Sequence, residues 1–458
     1  MFRVVFCLLL LLGGALPASR AESPPSAAAC VIRHQQGILL VQDRLSSRYS
    51  LSGGYIDRGE TPEQAALREL FEETGLQGRV TGELGRWQRA RVFACQTLEP
   101  LRVQRGTGFV SLLKAPDLGG EILNARLIAA ADLPLDQRRF PAQLDWIAPK
   151  LAEVPESQVL WVTDFSDAAS ELHRAELPLI QRLQQWLGPD ALWPRAGNLL
   201  GSAPFQLALL PLLLPLLGWS RLRHLLFAMV LLTLVVNLLK AGIGWPRPFH
   251  LQPELARQSA QGFGMPSGHA ASTLLYWGLL LGWLPALRAW QGALLALLLA
   301  GVAGLARVWL GVHFLSDVVA GLALGALLLA LRATLAKLAA RPLPWAGVLI
   351  ASALSAWLTQ STALAGLAMF TLGLVSGNLL SLERSPTPSL PAALLTLAGG
   401  LVVAGLLFLV PALTSSSLLI LAGQGWLFGC LGFWLSAGLW WSLSAIRHGA
   451  RTGRSTPR

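Results

Sequence analysis

Apolar and polar positions divide the chain into two unlike halves. Up to about residue 195 they mix as in a water-soluble protein. Beyond residue 198 Leu, Ala and Gly dominate, in runs about long enough to cross a hydrocarbon core of ~30 Å. Five runs (199–217, 222–243, 270–285, 291–310 and 314–335) are followed by four more, 343–358, 363–380, 392–410 and 418–446. This pattern predicts a soluble domain followed by a polytopic helical bundle of about nine spans. A shorter apolar run, 4–16, follows Arg3 and precedes Ser19 and Ala21. It reads as a secretory signal peptide, residues 1–21, cut after Ala21; an uncleaved anchor is the alternative and leaves the next domain on the same side. Residues 152–198 read as a linker. There Leu179, Ile180, Leu183, Trp186 and Leu187 share one helical face, opposed by Gln181, Arg182, Gln184 and Gln185. Such a helix suits a membrane surface or packing against the soluble domain.

Composition sharpens this picture. With 53% hydrophobic and 13% charged residues the chain departs from a soluble average, and the departure lies in its second half. The net charge of +11 does not indicate a nucleic-acid partner, because the cations are scattered or sit in short loops between apolar runs. Arg221, Arg223, Arg288, Arg332, Lys337 and Arg341 occupy one set of loops, and Arg384 with the tail 447–458 falls on the same side, as expected for cytoplasmic loops. The opposite ends of the spans, and the domain before them, are then exported, to the periplasmic side of a bacterial inner membrane. Residues 341–446 hold no ionisable group within a span, so no ion path is expected there. Cys7 leaves with the signal peptide and Cys430 lies in an apolar run. Cys30 and Cys95 sit in the exported domain, where either a disulfide or two buried thiols are possible.

Polar residues gather at the ends of the first five spans. Lys240, with six residues before Arg247-Pro248, closes the second span, and Pro266-Ser267-Gly268-His269 opens the third. Arg307 closes the fourth; His313 and Asp317 open the fifth. Alternate crossings bring these ends to one face. Ionisable groups at a bilayer are costly and mark function, and snorkelling anchors explain one such residue rather than the set. Cleaving a phosphate ester needs cations for the phosphoryl oxygens, a nucleophile and a proton donor for the leaving group. Lys240, Arg247 and Arg307 supply the cations, with the Ser267 hydroxyl and backbone N–H groups near Gly268 at a helix start. His313 and Asp317 are one helical turn apart, so the carboxylate can fix the imidazole tautomer. His313 then serves as nucleophile and His269 as acid.

These motifs resemble the signature of the type-2 phosphatidic acid phosphatase family, K-x6-RP, PSGH and SR-x5-H-x3-D, within a membrane domain set at 199–340. The resemblance implies a phosphohistidine intermediate on His313, His269 as acid, and no metal. Ala306 departs from it, standing where the family has Ser, so that a phosphate-facing hydroxyl is lost. Vanadium haloperoxidases share the pattern; a pocket opening toward lipid favours a phosphatase. Undecaprenyl diphosphate, phosphatidic acid and phosphatidylglycerophosphate are the candidate lipids.

A second site lies upstream. Glu69, Glu72 and Glu73 fall at i, i+3 and i+4, one face of a helix, where three carboxylates repel one another unless a divalent cation joins them. Glu60 is also available, Gly54 permits a tight loop, and Arg68 can pair with an acid to hold that loop on the helix. A solvated acidic face accounts for the carboxylates but not for the spacing Gly-x5-Glu-x7-Arg-Glu-Leu-x-Glu-Glu-x-Gly-Leu from Gly54 to Leu76. That string is similar to the Nudix box at every defined position, within a domain set at 28–151. The resemblance implies an α/β/α sandwich and Mg²⁺ or Mn²⁺ on Glu69, Glu72 and Glu73. It further implies water attack on a small-molecule diphosphate, with Glu69 as candidate base. The expected fold is therefore an exported α/β domain joined to a membrane all-α bundle, and the expected function is two hydrolases in one chain. A Nudix module that senses rather than cuts, or a lipid flippase, are the alternatives.

Overall fold

The computed structural model describes residues 25–116, 118–381, 390–414 and 416–438. The signal peptide, Arg384 and the basic tail lie outside the described residues. The soluble half is built on two sheets. In the first, β1 (Ala27–Val31) runs between β5 (Ser52–Tyr55), antiparallel, and β7 (Ala90–Thr97), parallel, and β6 (Gly78–Trp87) extends it beyond β7. The second has the order β11-β8-β9-β10-β3-β2, with β4 also on β3. Its members are β2 (Arg33–His34), β3 (Gly37–Asp43), β4 (Tyr49–Ser50), β8 (Leu101–Gln104), β9 (Phe109–Val110), β10 (Ile122–Ala129) and β11 (Val159–Val162). Alternation along the strands feeds two cores. Leu39 and Val41 face the helix α1 (Pro62–Thr74) through Ala65, Ala66 and Leu70, whereas Ile38 and Leu40 face α2 (Pro141–Ile147) through Leu144 and Ile147.

Two boundaries differ from the sequence reading. Strand β11 lies in the segment read as linker, yet it pairs in parallel with β8 and so belongs to the soluble sheet. The amphipathic helix α3 (Glu171–Leu187) shares a core with both halves, Leu113 of the soluble half packing on it, while Leu179 and Trp186 of its apolar face are exposed. It packs on the polar-motif end of the membrane half: Leu177 and Ile180 share a core with Leu251, Leu255, Phe314 and Val318, and Gln184 Nε2 donates to Leu255 O (2.9 Å) and Trp309 O (2.8 Å). Burial of apolar side chains against these loops stabilises more than a wet membrane surface would.

Cys30 and Cys95, on the adjacent strands β1 and β7, are joined as a disulfide across a sequence separation of 65 residues. A loop of that size predicts about 4 kcal/mol of stabilisation from the restricted unfolded chain. Replacing both cysteines by serine is expected to lower the melting temperature of the soluble half, and reductant should do the same to the unaltered chain; differential scanning calorimetry checks both.

The membrane half continues with α4 (Leu192–Leu200), α5 (Ala203–Ile243), α6 (Pro248–Leu251), α7 (Gly268–Gly282), α8 (Ala289–Trp309), α9 (Leu315–Ala330) and α10 (Arg332–Ala339). The last four helices are α11 (Pro342–Thr359), α12 (Thr362–Ser381), α13 (Leu390–Leu413) and α14 (Ser417–Phe433). Helix α5 spans the first two predicted runs and is broken at Gly218, whose φ of 74° lies in the left-handed region that glycine tolerates. Among the described residues, five helices are long and apolar enough to cross a membrane, and a sixth is counted if α9 and α10, bent by 65°, form one span. The chain is therefore a multi-pass membrane protein by the length and composition of its helices.

Candidate active sites

In the membrane half the site forms where helix ends meet. Ser267 caps the N-terminus of α7, its hydroxyl accepting from Ala270 N, and the Ser267 N–H donates to Asp317 O (2.9 Å). The turn bearing His269 is thereby tied to the helix bearing Asp317. His313 is 1% exposed and held from both sides: Nδ1 lies 3.1 Å from Asp317 Oδ2, and Nε2 lies 3.2 Å from Arg247 Nη1. Asp317 Oδ2 also accepts from Phe314 N (3.0 Å). A carboxylate accepts only, so Nδ1 carries the proton and Nε2 presents its lone pair toward the guanidinium. Arg247 is fixed by Gly262 O (2.7 Å), Gln261 O (2.6 Å) and Val312 O (2.7 Å). Lys240, Arg307 and His269 lie within electrostatic range of one another and of Arg247.

The described Arg307 Nε is buried without a partner, while Arg307 Nη1 donates to Asn198 Oδ1 (2.9 Å). Uncompensated donors beside several buried cations fit an anion such as a phosphoryl group. Ala306 is fully buried near Gly197, where a Cβ added to the glycine would come within 3.5 Å of the Ala306 Cβ. Ala306 thus packs beside α4.

Sequence reasoning missed three supports, all in the segment read as linker. Asn198 orients Arg307. Glu176 accepts from Ser316 N (3.2 Å) at the start of α9. His173 stacks on Phe314 with ring centroids 4.2 Å apart. Polar residues on an amphipathic helix look like a solvated face, and only the tertiary fold turns these inward. Asn198→Ala should lower kcat/KM for a lipid phosphate about tenfold, because one charge-assisted hydrogen bond is removed while the charge stays; steady-state phosphate release measures it.

In the soluble half, α1 starts at Thr61, whose side chain accepts from Gln64 N and whose N–H the Gln64 side chain accepts, a reciprocal cap with Pro62 in the first turn. The helix carries the acids to the loop after β5. Arg68 ties the two together, donating to Glu60 Oε1 (2.8 Å), Glu69 Oε1 (3.0 Å), Glu72 Oε2 (2.9 Å) and Tyr55 O (2.9 Å). The guanidinium beside Glu60 holds that carboxyl below its usual range. Gly54 is needed for contact, since a Cβ there would lie 2.3 Å from Glu69 Oε1.

Glu69 and Glu73 converge with Glu121, one carboxylate oxygen of each lying within 4.8 Å of the others. Glu121 was not anticipated, and Glu72 is not in this group; its carboxylate turns outward to Arg68. Burial pushes Glu69 up to about 7, with Arg68 opposing, and burial raises Glu73 well above the carboxylate range despite the hydrogen bond from the Gly53 N–H. Three acids so close require protons or a cation, and this all-oxygen donor set fits Mg²⁺ or Mn²⁺.

The two sites share a wall. Gly262, whose carbonyl holds Arg247, donates its N–H to Gly119 O (2.9 Å), two residues from Glu121. Phe263 packs against the core behind α1.

Comparison with known proteins agrees with this division. Residues 23–148 are a NUDIX domain, and residues 221–340 are a PAP2 superfamily domain. Lipid phosphate phosphatase delta of Arabidopsis thaliana is 32% identical over 176 residues, covering 34% of this chain and 41% of that protein. A MutT-like protein of Streptomyces ambofaciens is 33% identical over 86 residues, 17% of this chain and 56% of that protein. The chain spans between 15% and 56% of the curated relatives it matches. The crystal structure of Aquifex aeolicus LpxE, 23% identical, covers 35% of this chain and 95% of its own at a TM-score of 0.31, too low to carry an argument.

Proposed function

We propose that the chain is a bifunctional membrane hydrolase: a lipid phosphate or diphosphate phosphatase acting through His313, joined to a metal-dependent Nudix diphosphatase. The observation that carries this reading is the buried His313 held between Asp317 and Arg247 within a ring of cations. His313 Nε2 attacks phosphorus and the P–O bond to the lipid breaks. His269 gives its proton to the departing oxygen, and water then cleaves the P–N bond to release phosphate. Asp317 stabilises the imidazolium that forms. Undecaprenyl diphosphate, phosphatidic acid and phosphatidylglycerophosphate remain the candidate substrates.

In the soluble half Glu69, Glu73 and Glu121 would hold Mg²⁺ or Mn²⁺. A divalent cation bound there supplies charge to a diphosphate and acidifies water. Arg68 and Gly54 keep the acids in register with the loop. The shared wall at Gly262 supports action in sequence, one site releasing a monophosphate that the other removes. If each half, separately expressed, worked fully on unrelated substrates, sequential action would be excluded.

Topology belongs to the same proposal. As a straight helix α5 would be about 60 Å long, twice a hydrocarbon core, so a turn at Gly218 gives two crossings; with α9–α10 as one bent span and the shorter α7 and α12 each crossing once, the bundle has nine. Loop charge supports a periplasmic-side location of both sites at a bacterial inner membrane, and the Cys30–Cys95 disulfide suits that compartment. The test is phosphate release from undecaprenyl diphosphate and phosphatidic acid by the purified full chain in EDTA. Release supports a metal-independent phosphatase, and the faster lipid identifies the substrate; silence on both refutes the reading.

A further inference from the structure

The four helices α11 to α14 carry no polar motif and lie beyond the PAP2 superfamily domain, and among the described residues they contribute nothing to either site described above. Two of them close an apolar cavity of about 320 Å³ against the phosphatase helices, lined by Leu226 and Met229 of α5, Tyr276 of α7, Leu367 and Phe370 of α12, and Phe428 of α14. Its polar groups are satisfied within the protein. Tyr276 Oη donates to Gln206 O (3.0 Å), Gln206 Nε2 to Leu200 O (2.9 Å), and Thr233 Oγ1 to Met229 O (2.8 Å). Such a space offers nothing to a headgroup and suits hydrocarbon.

Its position relative to the catalytic residues narrows the occupant. Thr233, on the wall, precedes Lys240 by seven residues, and Tyr276 follows His269 by seven. Two helical turns are about 10 Å, so on both helices the cavity lies directly inward of a phosphate-site residue. Between the two levels Val236 reaches Gly268, where an added Cβ would lie 3.5 Å from Val236 Cγ1. At the rim, Ala203 follows Gly201 by two residues, and a Cβ on Gly201 would lie 2.7 Å from His269 O. Arg44 of the soluble half hydrogen-bonds the Thr362 hydroxyl, another rim residue. The cavity therefore lies about two helical turns from Lys240 along α5 and from His269 along α7.

We propose that this cavity is the hydrocarbon-chain subsite of the phosphatase, holding one chain of the lipid whose phosphate is cleaved at His313. The inference rests on the phosphatase reading. It assigns α12 and α14 to substrate selection: lipids whose chains fill the cavity gain binding energy that short-chain phosphates cannot.

Two measurements on the full chain test it. In the first, the His313→Ala variant is illuminated with phosphatidic acid bearing a diazirine in its chain, and labelled peptides are sequenced. Label on Met229, Tyr276, Leu367 or Phe428 is expected; label confined to outward helix faces, or on those residues equally with a diazirine diacylglycerol as probe, would overturn the proposal. The second compares dipalmitoyl with dihexanoyl phosphatidic acid for Met229→Trp and Leu367→Trp, which fill the cavity from opposite walls. The long-to-short ratio of kcat/KM should fall about tenfold in each, as expected for displacing roughly two buried methylenes. An unchanged ratio in folded variants would refute the subsite. Absence of turnover in the unaltered chain would defeat the phosphatase reading instead, and the labelling would still decide the cavity.

Discussion

Substituting His313 by alanine removes phosphate release from lipid phosphates in EDTA, a loss of about 10⁴-fold or more if the imidazole is the nucleophile rather than a buried anchor. The same variant keeps its metal-dependent diphosphate hydrolysis, because His313 lies outside the carboxylate cluster. Two companions separate nucleophile from scaffold. Asp317→Asn leaves the shape and removes the charge that stabilises the imidazolium, so a fall on the order of 10³-fold is expected with KM nearly constant. His269→Ala removes the proposed proton donor for the leaving group while Nε2 of His313 keeps its position. With a substrate whose leaving group needs no proton, such as a nitrophenyl phosphate, it should retain far more activity than His313→Ala. Rapid acid-free quenching of that reaction with radiolabelled phosphate should trap label on the chain, stable in alkali and lost in acid, as a P–N bond is. Label that survives in His313→Ala would place the covalent chemistry elsewhere.

Much of this architecture was legible because it is local. The ends of apolar runs show where charged residues cluster, and a four-residue spacing is one helical turn whatever the surroundings, so His313 and Asp317 could be paired before any coordinates. The acidic helix was equally readable from the spacing of Glu69, Glu72 and Glu73. What was not legible depends on tertiary contact. Glu121 is one acid before β10, with no spacing to tie it to Glu69. Helical periodicity places Glu72 and Glu73 on the same face, but it cannot show that Arg68 draws one outward while the Gly53 N–H holds the other inward. The packing of segment 152–198 was not legible because an amphipathic helix reads alike whether its apolar face meets lipid, a soluble domain or the loops around Phe314. Ala306, where the family pattern has Ser, is buried beside Gly197 of α4.

Glu69→Gln and Glu73→Gln are each expected to reduce metal-dependent diphosphate hydrolysis by about 10³-fold, and Glu121→Gln by less, since its carboxylate is the more exposed of the three. Glu72→Gln should cost least, which distinguishes the cluster seen here from the set given by helical spacing alone. Binding of Mn²⁺, followed by its electron paramagnetic resonance signal, gives a readout without turnover: affinity should fall in the first three variants and hold in the fourth. The pH dependence has a definite sign. Burial raises Glu69 to about 7 and raises Glu73 well above the ordinary carboxylate range, so at pH 6 the metal-free cluster holds protons that a cation must displace. Metal affinity should therefore rise steeply between pH 6 and 8, with proton release on binding. Stability of the metal-free domain runs the other way. A carboxyl with a folded pKa above its unfolded value favours folding fully below the unfolded pKa, near 4.5 for Glu69, and that contribution disappears as pH rises through 7. Melting temperatures of the metal-free protein should thus decline from pH 5 to 8, and Mn²⁺ should restore them most at the alkaline end. Flat affinity across this range would mean the three acids do not share a cation, and the soluble half would then act through some other group.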